Sequence, residues 1–165
     1  MKALLQRVSS ATVEVDGRVV GTISKGLLVL LSAMKGDEDK DLDYLCKKVS
    51  QLRIFGDDQG KMNLSLMDIK GEILVVSQFT LAASTRDGNR PSFDEAEESG
   101  KAKVMYESFV QRMAEKGIPV RTGVFAATMA VSLTNDGPVT IMVDSRDRRM
   151  TTEGTEMQEE KGTRP

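Results

Sequence analysis

Two short segments contain the residues of this chain that could do chemistry. Residues 77–81 read SQFTL, and residues 135–140 read NDGPVT. The first follows an apolar, β-branched stretch, and strand alternation predicts Gln78 and Thr80 on the face opposite Ser77. Backbone N–H groups at such a strand end, flanked by hydroxyl and amide side chains, can stabilise a developing oxyanion. The pattern equally fits a strand end whose hydroxyls bond only to their neighbours.

The second segment combines residue types that turns favour with a Gly-Pro pair. Asn, Asp and Gly at 135–137 predict a turn between two strands. Proline supplies no N–H to a strand ladder, and cis X–Pro bonds, about 5% of such bonds in folded proteins, cluster at tight turns. A turn at Gly137 and Pro138 would present carbonyl oxygens that can accept hydrogen bonds from an ammonium group. A plain connecting turn is the alternative.

The sequence contains no histidine and one cysteine, Cys46. This composition excludes Ser-His-Asp and Cys-His catalysis and removes the commonest general base near neutral pH. A single cysteine forms no internal disulfide, and the residue types that most zinc sites use are missing. We therefore expect no metal and no cofactor. An enzyme of this composition works through carboxylates, hydroxyls, backbone amides or groups of its own substrate.

Length and charge predict one ordinary globular domain. A length of 165 residues, with 39% apolar and 29% charged residues, is typical of such a domain. The net charge of −2 argues against a broad basic surface, so phosphates would be held by local patches. The most apolar run, residues 26–33, is far shorter than the ~18 residues of a membrane span. With no recognisable secretion signal, this predicts a cytoplasmic protein without membrane contact.

Hydrophobic periodicity predicts a β-rich chain with two helices. Helical spacing covers residues 38–53, behind a cap at Asp37 or Asp39, and a second helix that ends at Gly117. Strand patterns occupy the following ranges: 11–15 and 18–23 as a hairpin, 26–33, 61–66, 72–81, 128–134 and 139–143. We expect an α+β fold in which the two helices pack against a mainly antiparallel sheet or open barrel.

The folded domain is predicted to cover residues 1–145. Residues 146–165 contain five basic and five acidic residues and no aromatic residue. Such a composition cannot bury enough apolar surface to offset the entropy of ordering. We therefore predict a disordered C-terminal tail.

Both chemical segments, in this order and separation, resemble the two signature motifs of the D-aminoacyl-tRNA deacylase family. The resemblance covers residues 1–145. It is supported by further colinear stretches: residues 5–8 (LQRV), 26–31 (GLLVLL), 53–55 (RIF), 60–63 (GKMN), 90–93 (RPSF) and 122–127 (TGVFAA).

The resemblance implies a homodimer that hydrolyses the ester between a D-amino acid and the 3′-terminal adenosine of tRNA, with glycine on a non-cognate tRNA as a further substrate. It also implies three groups of site residues. The catalytic pocket is formed by Ser77, Gln78, Phe79 and Thr80. A cis Gly137-Pro138 pair excludes L-amino acids from the partner subunit's pocket, supported by Arg7, Asn135 and Thr140. The adenosine and tRNA are bordered by Arg86, Arg90, Pro91, Phe125, Ala126 and Met129.

Two other interpretations remain open at this point. One is a nucleic-acid-binding dimer without catalysis, although five Phe, two Tyr and a net charge of −2 give it little support. The other is a structural dimer in which both segments only build an interface.

Overall fold

The computed structural model describes residues 1–148 of the 165-residue chain. They form eight β-strands, two α-helices and a short 3-10 helix at Phe79–Ala82. The strands are β1 (Lys2–Val15), β2 (Arg18–Ile23), β3 (Gly26–Ser32), β4 (Phe55–Gly56), β5 (Met62–Leu64), β6 (Glu72–Ser77), β7 (Val120–Thr122) and β8 (Ala130–Asp144). The helices are α1 (Asp39–Gln51) and α2 (Ser99–Glu115).

Six strands form one mixed sheet in the order β2-β1-β3-β6-β7, with β8 added to β1. Strand β1 pairs antiparallel with β2, β3 and β8, whereas the β3–β6 and β6–β7 pairs are parallel. The sheet curls until β2 approaches β7, since a Cβ atom on Gly21 would lie 2.8 Å from the carbonyl oxygen of Thr122. The predicted α+β fold with an open, mainly antiparallel barrel and two helices is confirmed.

Two hydrophobic cores lie on opposite faces of the central strands. Strands β3 and β6 are covered on both faces, which explains their continuous apolar sequences. Alternate side chains therefore enter different cores. Leu27 and Val29 pack in the core that the helices cover, whereas Leu28, Leu74 and Val76 pack inside the curled sheet. The central pair is thus held on both sides, and the end of β6 is a firmly positioned point of the fold.

Both helices pack on the outer face of the sheet. Helix α1 begins after Glu38, whose N–H donates to the Asp41 carboxylate at 2.9 Å. The predicted cap at Asp37 or Asp39 is therefore wrong by one residue. Helix α2 ends before Gly117 as predicted, and this glycine takes a left-handed φ of 81°. Within residues 1–148 no helix is long and apolar enough to cross a membrane.

The hairpin predicted from residues 128–134 and 139–143 is wrong. Both ranges belong to the single strand β8, because both pair with β1 in the same direction. Gln6 of β1 faces Thr140, and Val8 faces Asn135. Residues 136–139 of β8 therefore lie opposite one residue of β1, so the chain forms a large bulge and does not reverse.

The C-terminal tail is described only as far as residue 148. The N–H of Ser145 donates to the carbonyl oxygen of Met1 at 2.9 Å, and the Arg148 guanidinium lies 3.3 Å from the Asp41 carboxylate. Residues 149–165, and the disorder predicted for them, lie outside the described part of the chain.

The close pairing of β3 with β6 predicts a steep cost for one methyl group. A Cβ atom on Gly26 would lie 1.8 Å from the backbone oxygen of Glu72, whereas one on Gly56 would meet nothing within 4 Å. We expect Gly26→Ala to lower the free energy of unfolding by about 3 kcal/mol or more, because the strands have to separate. Gly56→Ala, the matched control, should change it by less than about 0.5 kcal/mol. Urea denaturation measures both, and equal effects would contradict the close approach.

Candidate active site

The SQFTL segment, residues 77–81, lies at the end of β6. The strand stops at Ser77 and does not run to Leu81 as predicted, because the chain turns into the 3-10 helix. The N–H of Gln78 donates to the carbonyl oxygen of Leu31 at 2.8 Å. This is the last backbone hydrogen bond between the segment and β3. The predicted alternation of faces therefore fails beyond Ser77. The turn exposes both Phe79 and Thr80.

Two backbone N–H groups of this turn have no acceptor among the described residues. The N–H of Leu81 donates to Gln78 at 3.1 Å, but those of Phe79 and Thr80 donate to no group within residues 1–148. This follows from the position of both residues at the start of a helical turn, where N–H groups lack intrahelical partners. The side-chain amide of Gln78 donates to the Thr80 hydroxyl. Adjacent free N–H groups of this kind can bind an oxyanion.

A cavity of about 530 Å³ adjoins this turn, which is called the main cavity below. It lies between the end of β6, the start of α2 and residues 125–131. Six of the predicted site residues line it, whereas Thr80 does not. The six residues are Ser77, Gln78, Phe79, Phe125, Ala126 and Met129.

Tyr106 of α2 also lines the main cavity, and the sequence analysis missed it. It lies on the buried, apolar face of its helix. Its hydroxyl donates to the carbonyl oxygen of Val75 at 2.9 Å, and its ring centroid lies 5.8 Å from that of Phe125. Burial raises the pKa of Tyr106 to about 12, so the phenol stays neutral. A tyrosine on an apolar helix face needs a polar partner for its hydroxyl. That need is the signal by which the sequence could have indicated Tyr106.

The wall formed by residues 125–129 depends on two backbone features. A Cβ atom on Gly123 would lie 2.5 Å from the sulfur of Met129, so glycine is what lets Met129 lie against the backbone. Ala126 adopts a left-handed φ of 62°, which is uncommon for a residue with a side chain. Ala126 lies in the wall of the main cavity. Strained conformations of this kind cluster at functional sites.

The bulge of β8 holds the second chemical segment, residues 135–140. The Arg7 guanidinium donates to the backbone oxygen of Asp136 at 2.7 Å and to that of Ile54 at 2.6 Å. Arg7 thus lies beside this segment, where the resemblance places it. The bond between Gly137 and Pro138 is cis, and both residues are exposed.

One chain does not bring the two chemical segments together. The register of the sheet runs from Ser77 through Leu31 and Ala3 to Val143. Three strand spacings of about 4.8 Å therefore separate β6 from β8. Thr140 lies three residues further along β8, about 10 Å away at 3.3 Å per residue. Measured along the sheet, Ser77 and Thr140 are on the order of 17 Å apart.

The loop after the SQFTL segment contains the remaining predicted residues. Ser84 and Ser92 close it with two backbone hydrogen bonds of 2.8 and 2.9 Å. Phe93, just beyond, contacts Phe79 with the ring centroids 5.1 Å apart. Arg86, Arg90 and Pro91 are exposed on this loop and do not line the main cavity. Among residues 1–148 no cluster of His, Cys, Asp and Glu is placed to hold a metal ion.

A family profile described as D-Tyr-tRNA(Tyr) deacylase matches residues 4–144, the whole domain that holds these features. The chain belongs to the D-Tyr-tRNA(Tyr) deacylase family. Its relatives include a D-aminoacyl-tRNA deacylase of Persephonella marina, 60% identical over 88% of this chain and 99% of the relative. The D-aminoacyl-tRNA deacylase of Aquifex aeolicus is 54% identical over 89% of this chain and 99% of its own length.

Solved structures resemble this member of the deacylase family over the same domain. The c-Myc DNA unwinding element binding protein matches with a TM-score of 0.84 and 40% identity, over 87% of this chain and 98% of its own. A probable eukaryotic D-amino acid tRNA deacylase matches with a TM-score of 0.75 at 17% identity, which is a likeness of fold.

Asn135 holds the bulge of this deacylase-family chain. Its side-chain oxygen accepts from the N–H of Val139 at 2.7 Å, and its amide donates to the Val139 carbonyl at 3.2 Å and the Thr140 hydroxyl at 3.0 Å. We expect Asn135→Ala to lower the free energy of unfolding by about 2 kcal/mol and to speed exchange of the Val139 amide at least about tenfold. Hydrogen exchange by NMR measures the rate. Asn89→Ala, in an exposed loop, is the control; unchanged exchange at Val139 would contradict the assigned role.

Proposed function

We propose that this protein hydrolyses the ester bond of D-aminoacyl-tRNA, and of glycyl-tRNA formed on a non-cognate tRNA, releasing amino acid and tRNA. The observation that carries the proposal is the pair of N–H groups, on Phe79 and Thr80, that find no acceptor within residues 1–148 and belong to the turn that the main cavity adjoins. Relatives named for this reaction match over nearly their full length. The proposal includes a homodimer and a cytoplasmic location.

The chemistry suits a site without histidine. An aminoacyl ester is already activated, because its α-ammonium withdraws electrons and its leaving oxygen lies beside a vicinal hydroxyl. Attack of water on the carbonyl carbon moves negative charge to the carbonyl oxygen, and the N–H groups of Phe79 and Thr80 bind that oxygen. Collapse of this intermediate breaks the bond to the ribose oxygen, which leaves with a proton as the free hydroxyl of the tRNA. Each donor of an oxyanion hole is worth about 10²–10³ in rate. Orientation in the cavity supplies the remainder of the rate enhancement.

Thr80 does not act as a covalent nucleophile in this proposal. Within residues 1–148 the only side-chain partner of its hydroxyl is the amide of Gln78, which cannot take up a proton. A hydroxyl needs an adjacent base to attack an ester. The proton is therefore moved by the 2′-hydroxyl of the substrate or by a water molecule, and the Gln78 amide orients the Thr80 hydroxyl.

The proposal assigns chiral selection to Gly137 and Pro138 of the partner subunit. Inverting the α-carbon exchanges the side chain with a hydrogen, so a rigid backbone wall excludes one enantiomer by contact. Arg7 and Asn135 supply the required rigidity, and Thr140 is the further contact of Asn135. Glycine has no side chain to exclude, which is why glycyl-tRNA is included among the substrates.

The terminal adenosine is assigned to the wall of the main cavity. The ring of Phe125 and the thioether of Met129 supply apolar surface for a base, and the backbone of Ala126 supplies polar groups. Arg86, Arg90 and Pro91 border the site from the loop. The two alternatives, a nucleic-acid-binding dimer without catalysis and a structural dimer, leave the acceptor-free N–H groups without a role.

An ester-hydrolysis assay tests the proposed function directly. We expect the purified protein to deacylate D-Tyr-tRNA and Gly-tRNA, and to leave L-Tyr-tRNA intact. Mass spectrometry of the quenched reaction should find no acyl-enzyme, because Thr80 is not the nucleophile. Equal rates for D- and L-Tyr-tRNA would refute chiral selection. A trapped acyl group on Thr80 would refute the assigned proton route.

Subunit mixing tests whether the Gly-Pro segment acts on the partner's cavity. Gln78→Ala should inactivate its homodimer, whereas Pro138→Ala should let its homodimer hydrolyse L-Tyr-tRNA as well as D-Tyr-tRNA. A mixed dimer contains one intact site, with the SQFTL segment from one subunit and the Gly-Pro segment from the other. Random exchange in equal amounts should therefore lower L-Tyr-tRNA hydrolysis per Pro138→Ala subunit by about half in a two-fold symmetric dimer and leave D-Tyr-tRNA hydrolysis per such subunit unchanged. The control mixes Pro138→Ala with the double variant Gln78→Ala/Pro138→Ala, which should not restore selectivity. Unchanged L-Tyr-tRNA hydrolysis in the first mixture would place both segments in a site of one chain.

A further inference from the structure

A second groove adjoins the SQFTL turn at the end away from β6. It has a volume of about 690 Å³, within the range of small-molecule sites. The main cavity is lined by Gln78 and Phe79 at the start of the turn, and the second groove by Ala82 and Ala83 at its end. The two spaces therefore adjoin opposite ends of the same turn.

Cationic groups from three separate parts of the chain line the second groove: Lys2, Arg86 and Arg146. Arg146 is paired with Asp144 at 3.1 Å. Lys2 donates only to the carbonyl oxygen of Leu81, at 3.4 Å, and Arg86 has no side-chain partner within residues 1–148. Within residues 1–148, two cations of this groove therefore lack a carboxylate partner.

The hydroxyl side chains of the groove complement these cations. Ser84 and Thr85 lie beside Arg86 and line the same space. Hydroxyl, ammonium and guanidinium groups are the side chains that most often contact phosphate oxygens in nucleic-acid complexes. Phe79 and Phe93, exposed by 57% and 37%, form a pair of rings that borders the turn and offers a surface for stacking bases.

Acidic side chains decide what kind of ligand fits. Asp87, Asp94 and Glu95 also line the groove, so its formal charges cancel. It cannot attract anions through a broad positive field. An occupant has to place its negative charges at particular points, next to Arg86 and Lys2. A chain of spaced phosphodiesters meets that requirement.

We propose that the second groove binds the phosphodiester backbone of the nucleotides that precede the terminal adenosine of the substrate. This inference rests on the proposed function, which places that adenosine in the main cavity. The RNA strand then continues past Phe79 into the groove, where Arg86 and Lys2 bind its phosphates. The groove thus distinguishes an aminoacyl-tRNA from a small aminoacyl ester.

The test compares two substrates of the full-length protein: D-Tyr-tRNA and D-tyrosyl-adenosine, which has no phosphate. The readout is the ratio of their kcat/KM values. Arg86→Ala should lower this ratio about tenfold and lower the salt dependence of the tRNA reaction by about 0.7 logarithmic units per lost contact. Arg86→Glu should lower the ratio further. Asp94→Asn, which removes a negative charge from the groove, should raise it.

Arg18→Ala is the matched control. Arg18 is exposed on β2, so this substitution removes the same charge at a place outside the groove. An equal fall in the ratio for Arg18→Ala would reduce the effect to net charge and overturn the inference. An unchanged ratio of the two kcat/KM values in both Arg86 variants would also overturn the inference. A change of oligomeric state on light scattering would make the groove a subunit contact. Inhibition of both substrates alike by inorganic phosphate would make it a simple anion site.

Failure of the proposed function gives a different result. Wild-type protein that hydrolyses neither substrate would overturn both the function and the inference. Wild-type protein that hydrolyses both, with a ratio that no groove variant shifts, would leave the function in place and overturn the inference alone.

Discussion

The pairing of β1 with β8 on both sides of Arg7 is the constraint on which the rest of the structure depends. Four residues of β8 face one residue of β1, so residues 136–139 have to leave the sheet. Arg7 fills the resulting space and binds two carbonyl oxygens, on Asp136 and Ile54. The other edge of β1 pairs with β3, which in turn positions β6. One strand therefore sets the positions of both chemical segments.

The sequence was informative where local chemistry and the fold agree. Gly117 ended α2 as predicted, and the apolar runs of β3 and β6 are buried strands. It was misleading at residues 135–138, because Asn-Asp-Gly-Pro is turn chemistry. What overrides that local preference is the pairing of both flanking halves with β1, which no local pattern contains. The prediction that β6 continues beyond Ser77 fails for the same reason. The strand ends where its pairing with β3 ends, and no local pattern contains that pairing.

The candidate site could be predicted in part for a related reason. Its residues were identified because a motif marks them, and the structure places six of them around one cavity. Tyr106 was missed because a packing role on a buried helix face fully accounts for a tyrosine at this position, with no need for a site. The free N–H groups of Phe79 and Thr80 were not predictable as a pair, since they arise from a 3-10 turn where the sequence pattern continues a strand.

A site built largely from backbone groups places unusual demands on the fold. Backbone N–H and carbonyl groups cannot be moved by changing a rotamer, so their positions are set by strand register and by the bulge. A separation on the order of 17 Å along the sheet, between Ser77 and Thr140 of one chain, is then fixed as well. Residues 137 and 138 are exposed on an edge strand, which is a surface that a second copy can reach. In the proposed function, the geometry that makes the backbone wall rigid also prevents a single chain from completing its own site. Chiral selection and subunit association are then one requirement, because a monomer would keep its cavity and lose its chiral filter.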